Sequence, residues 1–305
     1  LFSFQLDAEC DYCFFYSELS TQQRQSPQVG EPAHGAGSSA LSTQHFLVMT
    51  TTNSVEPIFS PETAIAALSC DDNQIRYYAA WWLGKHQAQA GCAALCDALF
   101  DEKYRIPSGG YPLRRQAARA LGQLKNPQAV PALIAALQCD GDLRLREAVI
   151  GALAAIGDKQ AVTPLLNLLQ ESQEQPYEAL IEALATLQVW SARSQIEPFL
   201  NHPSERVQCA AARFLYLLTQ EPQYIERIVK NLNHDNMYLR WAAIFDLGAV
   251  GHQQAIEAIL AAKVPNSLKL LNLKRILEAV LDSDVPQKEI SQLLFQKIDD
   301  LLIQL

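Results

Sequence analysis

"IRYYAAWWLGK" at residues 75–85, "LRRQAARALGQ" at 113–123, "LREAVIGALAA" at 145–155 and "LRWAAIFDLGA" at 239–249 are four versions of one segment. Aligned, they put Arg76, Arg114, Arg146 and Arg240 at one equivalent position, and Glu178, Gln208 and Lys274 complete the series. Successive members lie 38, 32, 32, 30, 32 and 34 residues apart. Each period holds a shorter and a longer run of apolar residues at helical spacing, divided by a break. A two-helix unit of that size cannot bury its apolar face alone, so neighbouring units must bury each other's. The reading is an all-α chain, an α-solenoid of about seven helical-hairpin repeats over residues 61–305.

The breaks fit the period. "NPQAVPALIAALQCDGD" and "DKQAVTPLLNLLQESQ" supply two of the shorter helices, with Pro127 and the turn at residues 140–142 marking limits. Ser60 as N-cap and Pro61 at N1 start the first helix, and residues 287–304 form a last helix that caps the stack. The one long spacing comes from "KYRIPSGGYP", which lengthens the loop inside the second unit; insertions on one face of a solenoid often flank the binding side. Residues 1–48 are of another kind. They run from "LFSFQLDAECDYCFFYSEL" into a Gly, Pro, Ser and Gln-rich stretch without periodicity, and read as a disordered or non-native upstream segment. Met49 is then the expected functional start, with 49–60 as a lead into the solenoid.

Composition narrows the function classes. A chain of 305 residues with 49% hydrophobic and 19% charged content buries a sizeable core, and a net charge of −9 supplies no excess of cations for a phosphate backbone. Nucleic acid is excluded as the main partner. Seven cysteines without a scaffold spacing fit a reducing cytoplasm, and no apolar run is long enough for membrane insertion. Cys10 and Cys13 form a lone C-x-x-C, a weak zinc signal without a second pair, and Cys92 and Cys96 read as small core residues. No His-Glu pair, Ser-His-Asp nucleophile set, P-loop or G-x-G-x-x-G occurs, and no metal site is expected.

Four aromatic rings in "RYYAAWWLGK" exceed what one buried stripe needs. At 100° per residue, with Arg76 at zero, Trp82 falls on the packing face, while Tyr77 and Trp81 lie near 100° and 140°. The same two positions in the later units are Arg115 and Arg119, Glu147 and Gly151, Ala179 and Ala183, Cys209 and Arg213, Trp241 and Phe245, Arg275 and Ala279. Longer helices of such repeats line the concave surface. The expected groove therefore has aromatic walls in its first and sixth repeats, arginines between, one carboxylate and a middle of small residues. Arg115 and Arg119 offer a two-guanidinium edge for carboxylates, whereas arginines at position zero serve the neighbouring backbone.

"RYYAAWWLGK", "GGYPLRRQAARALG" and the succession of short Ala/Leu-rich units resemble the phycobilin lyases built of phycobiliprotein-lyase HEAT-like repeats. Within that family the resemblance is to the E-type subunit of phycocyanin α-subunit phycocyanobilin lyase, over about residues 58–305. It implies HEAT-like repeats, a heterodimer with an F-type lyase subunit, and attachment of phycocyanobilin through a thioether to a cysteine of the phycocyanin α-subunit. Phycocyanobilin is then a substrate and no tightly bound cofactor is expected. It also implies a soluble protein of the cyanobacterial cytoplasm or plastid stroma. A flat tetrapyrrole with two propionates and pyrrole N–H donors suits the groove: Tyr77, Trp81, Tyr111, Arg115 and Arg119 for the bilin, Glu147 and then Asp246 for its nitrogens, and Tyr238, Trp241 and Phe245 for a protein partner. The competing readings are a repeat scaffold or a phycobilisome-degradation factor, which would hold phycobiliproteins without ligating chromophore.

Overall fold

The computed structural model describes residues 57–107, 109–139, 141–282 and 288–303, within a compact unit spanning Val55–Leu305. The expectations for residues 1–48, including Cys10 and Cys13, and for Met49 lie outside the described residues. Among the described residues fifteen α-helices follow one another: α1 Pro61–Ala67, α2 Asn73–Lys85, α3 Cys92–Ala98, α4 Pro112–Leu124, α5 Val130–Ala136, α6 Leu143–Ile156, α7 Val162–Gln170, α8 Tyr177–Thr186, α9 Arg193–Ile196, α10 Glu205–Thr219, α11 Pro222–Lys230, α12 Met237–Val250, α13 Gln253–Ala261, α14 Asn266–Leu281 and α15 Lys288–Leu302. Odd-numbered α1–α13 are the short members of seven hairpins, even-numbered α2–α14 the long ones, and α15 packs on α14 as the cap.

The long helices pack against one another in sequence from α2 to α14, while the short ones meet their neighbours more sparsely. Closer spacing on one side bends the stack, so the long helices line the concave face. Their approach depends on small residues. A Cβ on Gly122 would stand 2.9 Å from Ala152 Cα, and one on Gly84 2.8 Å from Ala120 Cα. These are the glycines of the repeated Leu-Gly pairs, and they let adjacent backbones touch.

Two devices recur along the stack. After the long helix the chain takes one left-handed residue, at Gln87, Lys125, Gly157, Gln188, Gln220 and Gly251, with φ between 49° and 79°. Four of the six are not glycine, so this punctuation is invisible to a search for Gly. The second device is the position-zero side chain, which reaches back to carbonyls at the end of the short helix. Arg114 Nε donates to Asp101 O (2.6 Å), Arg146 Nε to Leu137 O (2.9 Å), Gln208 Nε2 to His202 O (2.5 Å) and Arg240 Nη1 to His234 O (2.6 Å). Arg76, 3% exposed, pairs with Asp101 at 2.6 Å.

Two registers differ from the sequence expectation. In the seventh hairpin Lys269, not Lys274, does the work: its Nζ donates to Leu260 O at 2.6 Å, and Lys274 pairs instead with Glu278 on the surface. Lys269 stands fourth in α14, the place Arg146 holds in α6 and Arg240 in α12. In the fourth hairpin no carbonyl is bonded by Glu178; its carboxylate pairs with Arg206. Gln175, just before α8, fills the gap by accepting from Arg146 Nη1 at 2.9 Å. The α8 series is therefore displaced by one residue. Ala183 is buried, and Glu178 and Glu182 occupy the groove in its place. Cys209 is likewise buried, against Asn231, which leaves Arg206 and Arg213 as the groove residues of α10.

Candidate functional site

The four rings of α2 divide as the helical wheel requires, with one addition. Trp82 is buried and stacks on His86, while Trp81 and Tyr78 are 37% and 43% exposed and stack on each other with centroids 5.3 Å apart. Tyr78 was not singled out by periodicity, because its place on the wheel near 200° lies midway between the groove and the free flank of α2. Tyr77 is half-buried near Arg115 on α4. An exposed, preformed aromatic stack thus begins the concave face.

Next to it stand Arg115 and Arg119, both half-buried. Burial works against the Arg115 charge and lowers its pKa, Asp142 supports that charge, and Arg144 and Arg119 oppose it. Its Nε is buried without a hydrogen-bond acceptor. Three guanidinium groups so close together, two of them on one helix face, make a site that favours an anionic group.

Tyr111 has another task than stacking on a ligand. Its N–H donates to Asp142 Oδ2 at 3.0 Å, while Asp142 Oδ1 accepts the Leu145 N–H at 3.0 Å and so caps α6. The Tyr111 ring carries the Arg114 guanidinium 3.9 Å from its centroid and that of Arg105 at 5.8 Å. A ring face already covered by a cation is not a platform for a second flat molecule. Tyr111 ties the inserted loop to the next hairpin and places Arg115 rather than binding beside it.

Acids follow on α6 and α8. Glu147 is exposed on the concave face, yet surrounding protein withdraws water from its carboxyl and raises the pKa; Glu178 adds repulsion, and Arg119 and Arg144 oppose the shift. Beyond it runs an ion-pair network across α8, α10 and α12. Arg206 donates to Glu178 Oε1 from Nε (3.0 Å) and Nη2 (2.5 Å), and to Asp246 Oδ2 from Nη1 (2.7 Å). Glu182 lies farther off, 3.9 Å from Arg206 Nη2 and 3.7 Å from Arg213 Nη1. Burial works against the Arg206 charge, but Asp246, Glu178 and Glu182 together raise its pKa well above the ordinary arginine value. The Glu182 carboxyl is pushed up to about 7 by burial, with Glu178 adding to the effect.

Asp246 must therefore be reassigned. Its side chain is 4% exposed and engaged by Arg206, so it braces α10 against α12 and presents nothing to a pyrrole nitrogen. The third expected cluster, Tyr238, Trp241 and Phe245 on α12, is half-buried, with Tyr238 edge-on to Trp241 at 6.3 Å. Along the concave face the order is aromatic, arginine, carboxylate, arginine, aromatic. The acids of α8 were missed because the one-residue displacement in that repeat turned them away from the groove by 100°.

Burial works against the thiolate form at four of the described cysteines. Burial raises the thiol pKa of Cys92 and Cys139 and pushes those of Cys96 and Cys209 up to about 12. Two cavities lie away from the concave surface. One of about 200 Å³ sits between Phe100, Arg114 and Leu145, and one of about 410 Å³ lies between α11 and α13, lined by Ile225, Val229 and Ala258.

Comparison with known proteins agrees with this architecture. The PBS lyase HEAT-like repeat matches residues 75–101 and 239–264, and the broader HEAT repeats match 108–185. The bilin biosynthesis protein PecE of Nostoc sp. strain PCC 7120 is 83% identical over 82% of this chain and 99% of its own length. PecE of Mastigocladus laminosus is 77% identical over 84% of this chain and 100% of its own. The phycocyanobilin lyase subunit alpha of the same Nostoc strain is 47% identical over 75% of this chain and 87% of its own. Among solved structures, the complex of CpcE and CpcF of phycocyanin lyase from Nostoc sp. PCC7120 contains a chain that superposes with TM-score 0.70 and 44% identity, covering 83% of this chain and 99% of that one. The chain belongs to the phycobilin lyase family of PBS-lyase HEAT-like repeat proteins, with PecE and the phycocyanobilin lyase alpha subunits.

Proposed function

We propose that this chain is one subunit of a heterodimeric bilin lyase that, with an F-type subunit, attaches phycocyanobilin by a thioether bond to a cysteine of a phycocyanin-type α-subunit. The observation that carries the reading is the exposed Tyr78–Trp81 stack beside Arg115 and Arg119, with Glu147 on the next long helix. A flat conjugated ring system stacks on the first, propionates pair with the second, and pyrrole N–H groups donate to the third. The nucleophile is the client's thiol. Its sulfur adds to the ethylidene carbon of ring A and its hydrogen ends on the adjoining ring carbon, so the lyase contributes orientation and exclusion of water rather than a nucleophile of its own. Thiols held up near 12 agree with that division of labour.

Two considerations refine the reading. One Nostoc strain carries both a PecE and a phycocyanobilin lyase subunit alpha, and this chain is 83% identical to the former and 47% to the latter. The client is then to be tested as a choice between phycocyanin α and a second α-subunit of the same class. The two aromatic clusters of the concave face belong to α2 and α12, five repeats apart, or about 50 Å at roughly 10 Å per packed helix. One bilin does not span them, so Tyr238, Trp241 and Phe245 are assigned to protein contact. The test is visible absorption: purified chain titrated with phycocyanobilin shifts and sharpens the bilin band, and Arg115→Ala with Arg119→Ala weakens binding about tenfold or more with helical content unchanged. An unshifted band would reject bilin binding by this chain.

A further inference from the structure

We propose that Glu182 is the acid that keeps the bound bilin protonated, giving a proton from its carboxyl to the imine-type nitrogen of the tetrapyrrole. The inference rests on the bilin-binding reading and assigns a role within that concave face.

The geometry singles out Glu182 among the acids of the network. Arg206 spends its short bonds on Glu178 and Asp246, both at 2.7 Å or less, and leaves Glu182 at 3.9 Å. Arg213 stands 3.7 Å from Glu182 through Nη1, and its buried Nε finds no acceptor at all. Asp246 is closed off at 4% exposure, whereas Glu182 keeps 36% of its side chain open. Two arginines thus face three carboxylates across α8, α10 and α12, and the carboxylate left without a close partner is the one that opens to the groove. An acid in that position takes up a proton instead of bearing an uncompensated charge. The groups that face it are Glu178 on its own helix, Arg206 and Arg213 from α10, and Asp246 from α12.

The reach is suitable. α8 packs beside α6, which carries Glu147, and α6 beside α4, which carries Arg115 and Arg119, at about 10 Å per step. A tetrapyrrole with propionates on α4 and a ring lying over α6 brings its nitrogens toward α8. In the transfer the Glu182 O–H bond breaks and an N–H bond forms on the bilin. The carboxylate left behind faces the two arginines and holds the bilin cation as its counter-ion. A protonated bilin is the better electrophile for thiol addition.

The experiment is an absorption titration of phycocyanobilin bound to the full-length chain, alone and with its F-type partner, while quenching of tryptophan emission reports binding separately. For the wild type, bound bilin should stay protonated to a pH about one unit above that of free bilin. Glu182→Gln should still bind bilin but lower the midpoint by about one unit, a tenfold loss of proton affinity that appears equally as about tenfold weaker binding of protonated bilin. Glu182→Asp should restore it. If Glu182→Gln does not fold, Arg213→Gln serves instead, since removing a nearby cation should raise the midpoint. Binding with the same midpoint in wild type and Glu182→Gln, or in wild type and Arg213→Gln, would overturn the Glu182 assignment alone. Absence of binding by the wild type would overturn it together with the reading on which it rests.

Discussion

Asp142 holds Tyr111 and caps α6 at once, one carboxylate oxygen taking the Tyr111 N–H and the other the Leu145 N–H, each at 3.0 Å. One side chain thereby fixes the end of the inserted loop to the hairpin that follows, with Arg115 alongside.

Replacing Asp142 by Ala removes a helix cap and a loop bond together. Each is worth about 1 kcal/mol, so the variant should lose about 2 kcal/mol of stability in urea unfolding. Bilin affinity should fall as well, because the loop and the start of α6 that flank Arg115 lose their tie. Asp142→Asn, which keeps an oxygen for one of the two bonds, should fall between.

Gly122→Ala tests the close packing of the long helices. Alanine favours a helix over glycine by about 1 kcal/mol, but here its methyl would stand 2.9 Å from Ala152 Cα, backbone that cannot swing aside. The clash should prevail, lowering the thermal midpoint, whereas Gly151→Ala, with open space around it, should raise it.

Stability should depend on the protonation of Glu182. Its folded-state pKa, about 7, lies above the ordinary carboxylate value, so the folded chain binds the proton more tightly than the unfolded one. Stability is then greatest at low pH within the window and is lost as pH rises from about 4.5 through 7. Because the side chain is more than one-third exposed, screening leaves about 1 kcal/mol of effect. Glu182→Gln should flatten the profile between pH 5 and 8 and unfold at a higher urea concentration than wild type at pH 8.

The two aromatic ends should separate by function. Trp81→Ala should impair bilin binding and leave association with an F-type subunit intact, and Trp241→Ala should do the reverse, with a loss of about 2 kcal/mol or more in complex formation. Titration calorimetry for the complex and absorption for the bilin read the two independently. Equal effects of both variants on both assays would reject the division.

The solenoid was readable from sequence because its signal is carried by many weak positions at once: Ala and Leu at helical spacing, repeated seven times, survive one wrong choice of anchor. The groove was less so, because a displacement by one residue turns a helix by 100°. Glu178 and Lys274 were aligned with arginines for their polarity, whereas the working criterion is reach to a carbonyl of the short helix, which Lys269 meets and Glu178 does not. Tyr111 and Asp246 were assigned to the bilin, but their engagement by Arg114 and Arg206 is a matter of partners brought together by the fold, which spacing along one helix does not reveal. Trp81 needed no partner to be recognised as open, whereas Tyr78, midway on the wheel, was not.

Covalent transfer tests the account most directly. This chain, a candidate F-type subunit, an apo α-subunit of the phycocyanin class and phycocyanobilin are brought together, and covalent pigment on the α-subunit is read from bilin fluorescence on a denaturing gel. Pigment should appear with both lyase subunits present, should be lost when the client cysteine is replaced, and should fall at least tenfold with Arg115→Ala and Arg119→Ala. Pigmentation that proceeds equally well without this chain, or removal of pigment from a loaded α-subunit in place of its attachment, would contradict it.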